Sequence, residues 1–360
     1  MKLSIFKSLD LSLILLPVLL VGVGIATIYS TTLGTEQSYF AWQQGVFAFI
    51  GLVLMFVFSF YDYRNLRNVS WVFYVLCIVL LLAVLFVGKK VFGATRWLDF
   101  GIFQLQPSEL LKIATILFVS SFFAQTVSRW YQRLIMAMVL VGAPLFLVAK
   151  QPDLGTTIVV VTIFLSLFFF WPISRKVKIG AVVVLLALLP LSWTLLQDYQ
   201  RNRIYTFINP GRDPYGAGYN VIQSLIAVGS GGVTGRGLGN GPQSQLNFLP
   251  VAHTDFIFAG WAEATGFVGA MGLLLALAFL NWRIYRIASV AKDAYGRYLA
   301  IGFGAMISVQ IAVNIGMNLG LAPVTGIPLP FVSHGGTALV VDFIMLGVMQ
   351  SIYIRHRANL

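Results

Sequence analysis

Gly235-Arg-Gly-Leu-Gly-Asn-Gly-Pro-Gln-Ser-Gln-Leu-Asn-Phe-Leu-Pro-Val-Ala-His-Thr-Asp-Phe-Ile-Phe258 begins as flexible, glycine-rich chain with one cation, Arg236. It ends as His253-Thr254-Asp255, where the sequence turns apolar and stays so for more than twenty residues. That change marks the mouth of a membrane helix, approached by a loop able to bend closely around a ligand. At its plainest, Thr254 caps the helix and Asp255 offsets the positive end of its dipole. An acid at such a depth is costly to keep, so the surroundings decide whether more is asked of it.

Working outward, the same switch from polar loop to apolar run recurs along the chain. With 58% hydrophobic and 10% charged residues, the 360-residue sequence is that of an all-α integral membrane protein. Apolar runs near 11–30, 40–60, 71–87, 108–124, 134–149, 155–171, 179–197, 256–279, 298–321 and 337–354 give about ten transmembrane helices. The first run is long enough to span and has no small-residue cleavage pattern, so no cleaved leader is expected. Cys77 lies inside an apolar run and points to neither a disulfide nor a metal. The net charge of +12 reflects basic inter-helix loops rather than a nucleic-acid surface. Lys2, Lys7, Arg64, Arg67, Arg129, Arg133, Arg175, Lys176, Lys178, Arg283, Arg286, Lys292, Arg297, Arg355 and Arg357 fall on one side if both termini are cytoplasmic.

The opposite side should be poor in cations and is not. Lys89, Lys90, Arg96, Lys150, Arg201, Arg203, Arg212 and Arg236 all lie there, beside acids. Snorkelling accounts for single cases, but their concentration in three loops points to a bound phosphate or pyrophosphate. The external loop 198–254, between spans 7 and 8, is far longer than an ordinary connection. It carries turn signals at 209–214 and a short interfacial or re-entrant helix near 219–228. No internal repeat or separate soluble segment is evident, and 1–360 reads as a single polytopic domain.

Asp99, Glu109, Asp153 and Asp255 lie at the external helix ends, with Glu263 and Asp342 deeper. Gln106-Pro-Ser-Glu-Leu-Leu-Lys112 opens one helix and sets Glu109 and Lys112 three residues apart, where they can neutralise each other or orient Lys112 toward phosphate. Lys150-Gln-Pro-Asp-Leu-Gly-Thr156 repeats the construction, with Asp153 as cap. Three helix N-termini would thus converge among basic residues, an anion site. His253 and Asp255 alone are a weak metal signal, although a divalent cation (Mg or Mn) bridging acid and pyrophosphate stays open. No nucleotide-binding loop and no Ser-His-Asp elbow is present.

Together with Gly93-Ala-Thr-Arg-Trp97, Gly237-Leu-Gly-Asn-Gly241 and Gln243-Ser-Gln245, these segments resemble the SEDS family (shape, elongation, division and sporulation) over essentially the whole chain. Gln243-Ser-Gln-Leu-Asn-Phe-Leu-Pro250 is more similar to its rod-shape branch than to its division branch. The resemblance implies a peptidoglycan glycosyltransferase that polymerises lipid II at the outer face of the bacterial cytoplasmic (inner) membrane. It further implies a class B penicillin-binding protein as transpeptidase partner, and places the family's essential aspartate on Asp255. Two departures stand out. Val251-Ala252 occupies the place of a usual glutamate, and Glu263-Ala264 that of paired acids. On this reading Asp255 is the general base of an inverting transfer. Arg96, Glu109, Lys112, Lys150, Asp153, Arg201, Arg203, Arg212, Arg236, Gln245 and His253 surround the lipid pyrophosphate. A flippase for lipid-linked precursors and a non-catalytic scaffold of the elongation machinery are the alternatives.

Overall fold

A computed structural model describes residues 8–357 except 34–35, 92–93, 100, 102–103, 126–129, 217, 247 and 250; of residues 36, 89–91, 94–95, 188–189, 191–192 and 195 it describes the backbone only. Lys2, Lys7, Gly93, Arg129 and the side chains of Lys89 and Lys90 therefore lie outside the described residues. The chain is mostly helical. In order it forms α1 (Ser12–Thr32), α2 (Tyr39–Phe60) and α3 (Tyr63–Val87), then strands β1 (Lys89–Val91), β2 (Ala94–Asp99) and β3 (Gln104–Leu105). Helices α4 (Pro107–Phe123), α5 (Trp130–Lys150), α6 (Leu154–Phe170) and α7 (Arg175–Leu195) follow. Next come α8 (Asp198–Ile208), α9 (Tyr219–Ser230) and the single turn α10 (Pro242–Gln245). The chain ends with α11 (Ile257–Val290), α12 (Ala294–Asn318) and α13 (Gly336–Arg357).

Seven of these, α1, α2, α3, α5, α11, α12 and α13, are long and apolar enough to cross a membrane, and α6 is a shorter apolar helix. This is a multi-pass membrane protein. About 70% of the apolar windows of α12 and α13 is buried, against 28% for α2, α3 and α5, so α12 and α13 form the centre of the bundle. Close approach there rests on missing side chains. A Cβ on Gly51 of α2 would lie 2.4 Å from the Phe343 ring of α13, and one on Gly347 of α13 would lie 2.5 Å from the Met55 carbonyl oxygen of α2. Small residues at crossings are what drive helix association where water supplies no hydrophobic push.

Three differences from the sequence reading bear on function. The all-α expectation gives way to a small antiparallel sheet, β1-β2-β3, laid between α3 and α4. Its strands are too short to register against the hydropathy of two flanking spans, yet they carry Arg96 and Trp97. The 198–254 loop holds a further helix, α8, started by a reciprocal capping box between Gln197 and Gln200. And the glycine-rich segment wraps a helix kink. Gly266 adopts φ 66°, which breaks α11 and frees backbone groups. Phe267 N–H donates to the Gly232 carbonyl (2.9 Å), Arg236 N–H to that of Glu263 (3.0 Å) and Gly237 N–H to that of Ala264 (2.9 Å). A broken helix at membrane depth is tolerated when protein re-satisfies it in this way.

The two ends of the bundle differ in how they use acids. At one end Asp62 caps α3 and pairs with Arg355 at 3.2 Å, Asp293 caps α12, and Asp10 pairs with Arg283. Each of those carboxylates is engaged in holding helix ends together. The other end holds the cavity.

Candidate active site

A cavity of about 410 Å³ opens where the entrances of α4, α6, α11 and α13 meet the sheet and α8. Arg96, Glu109, Lys112, Asp153, Arg203, His253 and Asp255 all line it, brought together from five separate segments. On α4, Pro107 at the helix start is compatible with the unpaired first turn. One turn on, Lys112 Nζ meets Glu109 Oε2 at 2.5 Å, with the two residues only 2% and 4% exposed. Asp342 of α13 is buried within electrostatic reach of both. A buried pair this tight is costly to break, so it is a fixed wall of the cavity.

Asp153 is the N-cap of α6. It accepts from Thr156 N–H (3.1 Å), from the Thr156 hydroxyl (2.9 Å) and from the Ser108 hydroxyl of α4 (3.2 Å). Arg96 reaches over from β2, donating through Nε to the Gln151 carbonyl (3.1 Å) and through Nη2 to that of Pro152, with Nη1 4.0 Å from Asp153. Arg203 projects from α8 and donates to the Val324 carbonyl at 2.9 Å. Both guanidiniums keep donors to spare, since each carries five.

Asp255 is built differently. The N-cap of α11 is Phe256 without a side-chain bond, so neither Thr254 nor Asp255 caps the helix as the simplest reading of the sequence has it. The backbone is what is held. The Asp255 carbonyl accepts from Asn314 Nδ2 (3.1 Å) and Asn318 Nδ2 (3.0 Å), and the Thr254 carbonyl from the Ser333 hydroxyl (2.7 Å). Among the described residues no hydrogen bond or ion pair reaches the Asp255 carboxylate; Gly326 passes so close that a Cβ there would lie 3.6 Å from its Oδ2. Burial pushes this carboxyl up to about 6, against the opposing pull of Arg203 and Arg96 and with some help from Asp153. Burial likewise lowers Arg203, with Arg96 adding repulsion.

His253 and His334 both pack against Phe40, ring centroids 4.8 and 4.6 Å away, and against each other at 6.0 Å. Burial lowers both imidazoles, His334 to about 4 with His253 contributing. They are neutral at neutral pH, so His253 lines the cavity without adding positive charge to it.

The other expected site residues lie elsewhere. Lys150 is exposed and sits over the Phe146 ring at 4.9 Å. Arg201 turns back to the Trp193 and Thr194 carbonyls (3.3 Å each) and to Asp198. Arg212 lies over Tyr205, Arg236 Nε donates to the Ser230 carbonyl (2.9 Å), and Gln245 Nε2 donates to that of Ser30. Glu263, buried, accepts from Gln243 and Ser244 N–H and so anchors α10. Asn314, Asn318, Ser333 and Gly326 went unread in the sequence. The signal was there in part, because Asn314 and Asn318 sit four apart on one face of a largely apolar helix. Among the described residues no three His, Cys, Asp or Glu side chains gather to hold a metal ion.

The model of the cell cycle protein family named for FtsW, RodA and SpoVE matches residues 5–358. The peptidoglycan glycosyltransferase MrdB of Escherichia coli K12 is 44% identical over 310 residues, covering 86% of this chain and 84% of the relative. Stage V sporulation protein E of Bacillus subtilis is 37% identical, covering 95% and 96%. Among solved structures, a chain of a peptidoglycan synthase complex that coordinates polymerization and crosslinking superposes with TM-score 0.81 at 31% identity, covering 98% of both chains. The rod shape determining protein RodA of Thermus thermophilus superposes with TM-score 0.70 at 27% identity, covering 97% of both. With a family model spanning nearly its whole length and relatives this similar from end to end, the chain belongs to the FtsW/RodA/SpoVE family, the SEDS family whose motifs it carries.

Proposed function

We propose that the protein is a peptidoglycan glycosyltransferase that polymerises lipid II at the outer face of the bacterial cytoplasmic membrane. About ten helices span the bilayer on this reading, both termini are cytoplasmic, and the 198–254 segment with α9 lies at the external interface. The observation that carries the chemistry is an unengaged carboxylate, Asp255, raised to about 6 inside a cavity that also holds Arg96 and Arg203. The names of its relatives support the same activity.

A hydroxyl of the acceptor sugar attacks the anomeric carbon of the donor. Asp255 takes the hydroxyl proton as the new C–O bond forms, and the anomeric C–O bond to phosphate breaks with its electron pair leaving on the lipid pyrophosphate. Arg96 and Arg203 stabilise the charge that develops there. One displacement inverts the anomeric centre and needs no second carboxylate as nucleophile. Asp153 and the Glu109–Lys112 pair hold Arg96 and the cavity wall in place. Should a divalent cation (Mg or Mn) enter with the pyrophosphate, Asp255 and Asp153 are the cavity's carboxylate donors. Likeness to a chain of a synthase complex supports a class B penicillin-binding protein as the crosslinking partner.

Incubating the purified protein with labelled lipid II tests the proposal. Glycan polymer from the wild type and none from Asp255→Ala is the expected result. Absence of polymer from the wild type would instead favour a flippase or scaffold, and near-normal polymer from Asp255→Ala would remove Asp255 from the chemistry.

A further inference from the structure

Where α11 and α13 end, far from Asp255, they enclose a second cavity of about 360 Å³. Arg283, Arg286, Tyr353, His356 and Arg357 wall it, over an apolar floor that includes Ile287. Its charges are unbalanced. Arg283 is paired with Asp10, whereas Arg286 and Arg357 meet no carboxylate among the described residues. Among the described residues, two guanidiniums in one concavity are therefore left without a carboxylate counter-charge.

The depth of this cavity identifies where a counter-charge would come from. Arg283 follows Asp255 by 28 positions along α11, which is broken at Gly266; at about 1.5 Å per residue the contour is about 42 Å, an upper bound on the separation. That contour exceeds the hydrocarbon core of a bilayer, about 30 Å, so the two residues can lie at opposite interfaces. Trp282 marks the same level. It is half exposed, and the Arg283 and Arg286 guanidiniums each lie 5.7 Å from its ring centre, as expected of an aromatic anchor at a membrane interface. Orientation bias explains why arginines end up on this side, but not why they close around a space with a tyrosine and a histidine. Two free planar guanidiniums suit a phosphodiester, and the apolar floor suits the glycerol and first methylenes behind it.

We propose that this cavity binds the phosphate of an anionic glycerophospholipid, such as phosphatidylglycerol or cardiolipin, in the leaflet opposite Asp255. The proposal needs the membrane-spanning fold but not the polymerase reading, so either can fail without the other.

Native mass spectrometry of the full-length protein released from phosphatidylcholine nanodiscs doped with phosphatidylglycerol tests it. The wild type should retain phosphatidylglycerol in preference to phosphatidylcholine. Arg286→Gln with Arg357→Gln should lower that preference about thirtyfold, and Arg357→Gln alone, on the exposed last turn of α13, about fivefold. Arg283 is left in place so that its pair with Asp10 persists, and the single variant keeps the test decisive if the double variant does not fold. Equal retention of the two lipids by the wild type, or an unchanged preference in Arg357→Gln, overturns the proposal. So does displacement of phosphatidylglycerol by inorganic phosphate at the same phosphate concentration, which would make the site one for a free anion.

Discussion

Asp153 and Asp255 both stand just ahead of a helix that opens on the same cavity, and one is spent on structure while the other is held in reserve. Asp153 accepts three hydrogen bonds, caps α6 and draws in Arg96. Asp255 has its backbone clamped by Asn314 and Asn318 but, among the described residues, no hydrogen bond to its carboxylate. The oxygens of Asp153 are taken up by its cap and the neighbouring hydroxyls, whereas those of Asp255 have no such bonds, and burial makes it hold its proton more readily. The position of an acid relative to a helix therefore does not reveal its use. What its oxygens touch does.

Replacing each acid should separate the two roles. Asp255→Asn is expected to lower polymerisation by about 10²–10⁴-fold, the usual worth of a general base. The fold should not suffer. An unfolded chain releases this proton near 3.9, whereas the folded protein keeps it to about 6. The charged carboxylate thus destabilises the folded state above pH 6, by up to about 3 kcal/mol, and not at all below the unfolded value. Asp255→Asn should accordingly melt at the same temperature or higher at pH 7.5; a clear drop would show that the carboxylate is structural after all.

Asp153→Ala should behave in the opposite sense. Loss of the cap costs about 1–2 kcal/mol, with further cost for the Thr156 and Ser108 groups left unpaired, while activity per folded molecule falls less than tenfold. Thermal unfolding alongside turnover checks both. Arg203→Gln sharpens the comparison from the electrostatic side. It should raise KM for lipid II about tenfold, as a lost charged contact of about 1.5 kcal/mol would. Since Arg203 pulls Asp255 down, the acidic limb of the pH profile should also move to higher pH. Arg201→Gln is the smallest change expected, with KM unaltered, because Arg201 faces its own helix and the Trp193–Thr194 carbonyls. A weakened KM there would place Arg201 in the pyrophosphate clamp despite those intramolecular contacts.

Much of this architecture is written in hydropathy, and each of the ten apolar runs falls within or largely within one helix. Composition cannot tell which way a side chain faces, and that is where the reading of the site loosened. Arg201 and Arg203 look equivalent as loop residues. On α8 they are two positions apart, about 200° around the axis, so only one can face the cavity. The capping box at Gln197 and Gln200 was the available sign of that helix. The glycines of 235–241 read as chain able to bend around a ligand, and the kink at Gly266 that their segment bonds in the structure lies in another part of the sequence. Asn314 and Asn318 act on Asp255 across about 60 residues of sequence, and only folding shows the contact. Glu109, Lys112, Asp153 and Asp255 were legible because helix-start chemistry and charge at membrane depth are local features.

The pH dependence of kcat/KM for glycan formation from lipid II is the most direct test of Asp255 as the base, since it reports the ionisation of the free enzyme. Activity should be half-maximal near pH 6 on the acid side, rise to a plateau above it, and lose this limb in whatever activity Asp255→Asn retains. A profile with no limb near pH 6, or the same limb persisting in Asp255→Asn, would contradict the assignment.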